Sequence, residues 1–157
     1  MFDQISVFFT IEMIYLWLNF GVLPFWFILI FFPQSKICGL LATSIFPLLI
    51  LGSVYIYLLY YYFNTGYDFL ENFELYFGIY NLANLFENEA FLILFWTHFL
   101  TINLFCAAWI VRDSQKYFMS KYFNIMPLII TYFIGPVGIV IYWIVRIFFA
   151  KKISLFD

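Results

Sequence analysis

The stretch FLILFWTHFLTINLFCAAWIV at residues 91–111 holds the chain's single histidine, His98, and no charged residue. A helix needs about 20 mainly apolar residues to cross the hydrocarbon core of a bilayer. This stretch is long enough, and Arg112-Asp113 follow it directly. It therefore predicts a transmembrane helix that ends at Arg112-Asp113 and has a histidine near its middle.

Three further apolar runs reach a similar length, at residues 6–32, 37–63 and 125–149. Only 10% of the 157 residues are charged, against about 25% in a typical soluble domain. So few charged side chains cannot cover a globule in water, and lipid is the expected solvent. We therefore predict an all-α integral membrane protein with four transmembrane helices, forming one membrane domain over residues 1–157.

The long connection between the second and third runs has its own pattern. Aromatic residues recur there at helical spacing, and acidic residues alternate with them: Phe69, Phe73, Phe77, Tyr80, Glu71 and Glu74. The pattern predicts an amphipathic helix over about residues 68–86 that lies in the membrane interface between spans two and three. Because its charged residues are acidic, either apolar burial or docking against the mouth of the helix bundle must anchor it.

Charged residues in the connections predict the orientation. The first and third connections contain basic residues, whereas the second contains five acidic residues and no basic one: Lys36, Arg112, Lys116 and Lys121 against Asp68, Glu71, Glu74, Glu87 and Glu89. The positive-inside rule then places the first and third connections on the cytoplasmic or equivalent organellar face, with both termini opposite. Lys151 and Lys152 near the C-terminus argue against that placement of the tail.

The expected location is a bacterial inner membrane, or a mitochondrial or plastid membrane. Membrane lipids are the expected partners. No basic patch predicts binding to nucleic acid.

Polar residues inside the runs are the candidate functional residues. Glu12, Asn19 and Trp26 recur every seven residues, so they lie on one face of the first span. A carboxylate there must face other helices, a cavity or the hydrated interface. In the third span His98 and Trp109 share one stripe that continues towards Asp113.

The imidazole of His98, with an unperturbed pKa of about 6.5, suits proton exchange. The structural alternative is that His98 forms a hydrogen bond between helices. We expect His98 to point into the helix bundle and to bond Glu12, Asn19 or Thr131. One histidine is too few for a di-iron site, and Cys38 and Cys106 lack metal-ligand spacing, so no metal site is predicted.

The sequence Gly135-Pro136-Val137-Gly138 interrupts the fourth run. Proline removes a helical hydrogen bond, and glycine lets another surface approach the backbone closely. That surface is either a helix, with Ala107 and Ala108 small enough to meet the break, or a flat polyene in an apolar slot walled by Trp109 and Tyr132.

Several motifs together resemble one family. They are Leu23-Pro24-Phe25-Trp26, Pro33, Leu85-Phe86, Trp96-x-His98-Phe99-Leu100, Asn103-Leu104-Phe105-x-x-x-Trp109, Asp113, Pro127 and Gly135-Pro136-x-Gly138-x-x-x-Tyr142. In this order they resemble the abscisic-acid-deficient-four-like family of small four-span membrane proteins from bacteria and plastids. The resemblance implies a role in converting violaxanthin to neoxanthin, an epoxide-to-allene isomerisation of a xanthophyll. Asn103 stands where that family usually has Asp, and Ala107-Ala108 where it usually has Gly-Arg.

The resemblance predicts a protein that binds or acts on a lipophilic polyene, and the alternative is a non-catalytic accessory subunit of a respiratory or photosynthetic membrane complex. No complete catalytic set is present, and no cofactor is predicted beyond a bound carotenoid or lipid. The candidate catalytic residues are His98, Glu12 and Asp113. The candidate ligand-binding residues are Trp109, Asn19, Trp26, Asn103 and Tyr132.

Overall fold

The computed structural model describes residues 10–151, and these residues are helical with no β-strand. Within residues 10–151, six α-helices follow one another: α1 (Ile11–Phe31), α2 (Phe46–Asn64), α3 (Ile79–Glu87), α4 (Glu89–Lys116), α5 (Lys121–Phe133) and α6 (Gly135–Ala150). A π-helical turn at Cys38–Ala42 precedes α2, and a 3-10 helix at Glu71–Tyr76 precedes α3. The prediction of an all-helical protein is confirmed.

Within residues 10–151, three helical segments have the length and apolar composition of a membrane span: Ile11–Phe31, Cys38–Asn64 and Glu89–Lys116. They correspond to the first three predicted spans, although residues 6–9 of the first prediction lie outside the described residues. Large apolar side chains such as Phe20 and Ile56 are exposed on these helices. Apolar residues therefore occupy both the buried and the exposed faces, as expected where lipid is the solvent.

The fourth predicted span is not one continuous helix. α5 has 13 residues and α6 has 16, and Ile134 separates them with φ −140° and ψ 80°, outside the helical region. Pro136 lies in the first turn of α6, where its missing N–H removes no helical hydrogen bond. The prediction of one helix over residues 125–149 is therefore wrong. Each of the two helices is also shorter than a typical span of about 20 residues.

α5 and α6 instead fold back on each other. Residues seven apart in a continuous helix are about 10.5 Å apart along its axis. Here a β-carbon added to Gly138 would lie 2.6 Å from the Cα of Thr131. The chain therefore reverses at Ile134, and we call α5 and α6 together the hairpin.

The ends of the hairpin lie against the C-terminal end of α4. Asn124 Nδ2, near the start of α5, donates to Ser114 Oγ at 2.6 Å, and Arg146 Nη2, near the end of α6, donates to Tyr117 Oη at 3.0 Å. The end of α6 therefore lies beside the α4–α5 connection. The predicted placement of the C-terminus concerns residues from Lys152 onwards, which lie outside the described residues, and it stays a prediction.

The first and third connections also meet. Gln115 Nε2 donates a hydrogen bond to the carbonyl of Pro33 at 2.5 Å. Pro33 follows α1 directly, and Gln115 is in the last turn of α4. The α1–α2 connection therefore lies at the same end of α4 as the α4–α5 connection, which agrees with their predicted placement on one membrane face.

The connection between α2 and α4 contains two short helices rather than one. Gly78 separates the 3-10 helix Glu71–Tyr76 from α3, and its φ of 146° is a conformation that other residues rarely adopt. The prediction of one amphipathic helix over residues 68–86 is therefore wrong. At the start of this connection, Tyr67 Oη donates a hydrogen bond to Asn72 Oδ1 at 2.5 Å. The pKa of the Tyr67 phenol is raised, mainly because the phenol is partly buried.

Two compact units make up the chain, each from two separate stretches. Of the described residues, one unit contains those up to Phe20 together with Leu49–Thr101. The other contains Gly21–Leu48 together with the described residues from Ile102 onwards. The hairpin, the last 15 residues of α4 and the α1–α2 connection thus belong to the second unit, and the prediction of a single membrane domain stays a prediction.

Candidate functional site

A buried ion pair joins α6 to α4. Asp113 Oδ2 accepts hydrogen bonds from Arg146 Nε and from Tyr142 Oη, each at 2.6 Å. The arginine side chain is 1% exposed and the aspartate side chain 9%. Arg146 also donates to Tyr117 Oη. We call Asp113, Tyr117, Tyr142 and Arg146 the clamp.

The positions of these residues follow from helical spacing. Trp109 and Asp113 are four residues apart on α4, so they lie on one face of that helix, and Tyr117 follows the end of the helix directly. Tyr142 and Arg146 are also four residues apart, on α6. Two helical faces that meet therefore bring one carboxylate, one guanidinium and two phenols together.

Aromatic rings surround the buried guanidinium. The Arg146 Cζ lies 4.8 Å from the ring centroid of Tyr117 and 4.7 Å from that of Trp143. Trp109 packs on Tyr142 with its ring nearly perpendicular, at 5.7 Å between centroids. The negative faces of aromatic rings attract cations. Ring faces and the carboxylate together offset the cost of burying the guanidinium away from water.

Sequence reasoning named Asp113 but missed Arg146 and Tyr142 as members of this site. A signal was present, because Arg146 is the only charged residue in α6. A charged residue in an apolar helix requires a partner, and such pairs often mark functional places in membrane proteins. Asp113, at the end of an adjacent apolar run, was the complementary carboxylate.

The tip of the hairpin lies against Asn103. A β-carbon added to Gly135 would collide with the Asn103 side-chain amide, and Gly138 is equally close to Thr131. The interpretation of the glycine break as a packing device is therefore confirmed, but its neighbours are Asn103 and Thr131 rather than Ala107 and Ala108. Asn103 is 5% exposed, and its Nδ2 has no hydrogen-bond partner among the described residues.

An apolar slot of about 340 Å³ lies between α1 and α5 within the second unit. Trp26 and Tyr132 meet edge to face there, at 5.2 Å between ring centroids. The seven lining residues are Leu23, Trp26, Phe27, Ile30, Ile129, Tyr132 and Phe133, so none is charged. We call this cavity the aromatic slot. It brings together Trp26 and Tyr132, two of the predicted ligand-binding residues.

A larger cavity of about 660 Å³ lies between residues 42–48 and the C-terminal half of α4. Trp109 and Asp113 are among its lining residues, together with Arg112 and Lys116. Its other walls are mainly apolar. We call it the α4 cavity.

The remaining predicted site residues lie elsewhere. Glu12 is exposed and lines a third cavity, of about 690 Å³, within the first unit together with Glu89 and Trp96. Asn19 Nδ2 donates to the carbonyl of Tyr15 in its own helix at 2.7 Å. Both Glu12 and Asn19 belong to the first unit, whereas Trp26 and Tyr132 meet in the second. Across residues 10–151, no group of three His, Cys, Asp or Glu is arranged to hold a metal ion.

His98 does not occupy the predicted position. Its side chain is exposed, and within residues 10–151 it makes no hydrogen bond to Glu12, Asn19 or Thr131. The prediction that His98 points into the bundle and bonds a polar group is wrong, because the buried face of α4 contains Thr97 and Leu100 on either side of it. A catalytic role for His98, Glu12 or Asp113 stays a prediction.

Comparisons with known proteins agree on one family. The model of the ABA DEFICIENT 4-like family matches residues 13–142. The chain is also similar to Protein ABA DEFICIENT 4, chloroplastic, of Arabidopsis thaliana, with 27% identity over 135 residues. That similarity covers 80% of this chain and 57% of the relative, so the chain spans little more than half of the relative's length. No solved structure matches the chain.

Proposed function

Because this chain belongs to the ABA DEFICIENT 4-like family, we propose that it binds a lipophilic polyene of the xanthophyll class within the membrane. The observation that carries this proposal is the aromatic slot. A polyene is flat and apolar, and it gains dispersion energy and ring contacts between aromatic walls such as Trp26 and Tyr132. The absence of charged residues among the slot's lining residues suits such a ligand.

The size of the slot implies which part of the ligand it holds. Small-molecule sites usually have volumes of about 300–1,000 Å³, and the slot is at the lower end with about 340 Å³. It accommodates a section of a long polyene chain. The rest of the ligand would extend along the lipid-facing side, where Phe27 and Phe133 are exposed.

We also propose how the protein lies in the membrane. The three long apolar segments cross the bilayer, and the hairpin enters and leaves it on the face of the α4–α5 connection. From Asp113 to Asn103 the hairpin follows α4 for ten residues, about 15 Å, which is about half of a hydrocarbon core of about 30 Å. The reversal at Ile134 would then lie near the middle of the bilayer, packed against α4. Lys151 would share a face with Lys116.

In this arrangement the clamp is a positioning device. It holds α6 on α4, and α6 holds α5 through the contact between Gly138 and Thr131. The next residue of α5, Tyr132, forms a wall of the aromatic slot. Because two donors already occupy Asp113 Oδ2, the contacts favour positioning over proton transfer as the role of this carboxylate.

Pigment retention by two matched variants tests the proposal. The full chain is produced in carotenoid-synthesising cells, purified in mild detergent, and its bound pigment is measured by absorbance and chromatography. Tyr132→Ala opens the slot, whereas Tyr122→Ala removes an exposed tyrosine of the same helix that lies outside it. We expect the first variant to lose most of the pigment and the second to retain it. Retention by both variants, or no pigment on the unaltered protein, would contradict the proposal.

The same preparation separates the two functional classes. Incubation with violaxanthin tests for conversion. Because an isomerisation leaves the mass of the pigment unchanged, the product is detected by its different retention time in chromatography. A stoichiometric protein partner without pigment would instead support the accessory-subunit alternative. Of the three locations predicted, a plastid membrane is the one we propose, since the relative's name places that protein in the chloroplast.

A further inference from the structure

The cavity of the first unit, of about 690 Å³, is formed by the first two turns of α1 and of α4. Its lining residues on α4 are three or four positions apart, so they form one face of that helix: Glu89, Leu92, Ile93 and Trp96. Glu12, in the first turn of α1, lines it from the other side. We call it the carboxylate cavity, and its outer end is the end where both helices begin.

The two carboxylates at the outer end have no cationic partner within residues 10–151. Neither Glu12 nor Glu89 forms an ion pair or a side-chain hydrogen bond there. The described residues of this unit also contain no lysine or arginine. A carboxylate at the start of an apolar span costs free energy unless it is paired or hydrated. A cationic group bound in the cavity would supply the missing partner for both side chains.

The inner part of the cavity has a different character. Trp96 is seven residues after Glu89, about 10.5 Å along the helix axis, and its ring lies 5.8 Å from that of Tyr15. Its Nε1 is buried and has no hydrogen-bond partner among the described residues. A buried indole N–H normally has an acceptor. The cavity therefore has two anionic acceptors at its outer end and an unpaired donor in its inner wall, with apolar Leu92 and Ile93 between them.

We propose that the carboxylate cavity binds a phospholipid with a primary ammonium in its headgroup, as in phosphatidylethanolamine. The ammonium donates charge-assisted hydrogen bonds to Glu12 and Glu89. Farther in, an ester oxygen of the lipid accepts the N–H of Trp96, and the hydrocarbon chain begins against Leu16 and Leu92, which line the cavity and are exposed. The cavity volume of about 690 Å³ lies within the range of about 300–1,000 Å³ of small-molecule sites. It holds the headgroup and the start of one chain.

Competition between two phospholipids tests the outer end of the site. The purified full chain is placed in nanodiscs with equal amounts of phosphatidylethanolamine and of phosphatidylglycerol, which has no ammonium. The lipid retained after extraction into detergent is counted by native mass spectrometry. We expect the unaltered protein to retain phosphatidylethanolamine about tenfold better, as for one hydrogen bond to a charged group. Glu89→Gln should remove most of this preference, whereas Glu74→Gln, at an exposed position of the same unit outside the cavity, should leave it unchanged.

A second variant tests the inner wall. Trp96→Phe keeps an aromatic ring but removes the indole N–H, so retention of phosphatidylethanolamine should fall severalfold. Trp17→Phe, at an exposed position of α1 that does not line the cavity, is the matched control and should retain the lipid fully. Full retention by Trp96→Phe would mean that no lipid oxygen reaches the inner wall, and it would overturn the proposed placement.

Three further results would overturn the proposal. Equal retention of the two phospholipids by the unaltered protein, or retention of neither, would mean that the ammonium is not recognised. Equal losses from Glu89→Gln and Glu74→Gln would mean that diffuse acidic charge attracts the lipid. Displacement of the lipid by free ethanolamine at equal concentration would mean that the cavity recognises a soluble amine. Since none of these measurements involves pigment, they are independent of the proposed polyene site.

Discussion

Replacing Arg146 with Met tests whether the clamp holds the hairpin to α4. The variant keeps a long apolar side chain but leaves the Asp113 carboxylate, 9% exposed, without its cationic partner. Removing one member of a buried ion pair typically costs about 3–5 kcal/mol, because the remaining charge stays buried and unpaired. Both side chains are nearly inaccessible to solvent, so the upper part of that range applies here.

The double variant Asp113→Leu with Arg146→Met separates the two contributions. If the residues acted independently, their costs would add to about 6–10 kcal/mol. Because the double variant leaves no unpaired charge, we expect it to be no less stable than Arg146→Met alone. Tyr142 and Tyr117 each lose a partner in the variant, so it should still be less stable than the unaltered protein.

The measurement is the free energy of unfolding in detergent, followed by circular dichroism during titration with a denaturing detergent. Lys121→Met removes an exposed positive charge near the same end of α4 and serves as the control, with an expected change below about 1 kcal/mol. Additive costs in the double variant, or a change below about 1 kcal/mol in Arg146→Met, would refute the view that this pair is buried and coupled.

Two further predictions concern the hairpin. Gly138→Ala should destabilise the protein by about 1–3 kcal/mol because its methyl group meets the backbone of Thr131, whereas Gly52→Ala, with nothing within 4 Å, should be neutral or slightly stabilising in the same unfolding titration. Cysteines placed at Lys116 and Lys151 should both react with an impermeant maleimide from one face of the membrane, and labelling from opposite faces would mean that the hairpin crosses it.

The sequence predicted the helices well where the signal is local. Length and apolar composition within a single segment decide whether that segment can form a span, and residues 91–111 and their structural counterpart α4 agree for that reason. The reversal at Ile134 was not predictable in the same way. Glycine and proline are found both at kinks and at turns. The contact that makes this one a turn joins Gly138 to Thr131 and depends on tertiary packing.

The candidate site shows the same division between local and non-local information. His98 was singled out because it is the only histidine in an apolar run, but a helix has two faces, and this residue lies on the exposed one. Arg146 is the stronger signal in the amino-acid sequence, because a guanidinium is always charged and its burial in lipid requires a counter-ion. Asp113 ends an adjacent apolar run, so the amino-acid sequence alone contained the carboxylate that could neutralise Arg146.

The separation of charge from the aromatic slot follows from where the clamp lies along α4. Arg146 and Asp113 are at the end of α4, while the hairpin tip meets the neutral amide of Asn103 ten residues earlier. A carboxylate at that tip would require its own buried counter-ion, and none of the described residues of the hairpin tip is basic. A neutral Asn103 therefore keeps the interior end of the hairpin uncharged. The buried ion pair between Arg146 and Asp113 lies ten residues away along α4, and Tyr132 is left in surroundings suited to a flat apolar chain.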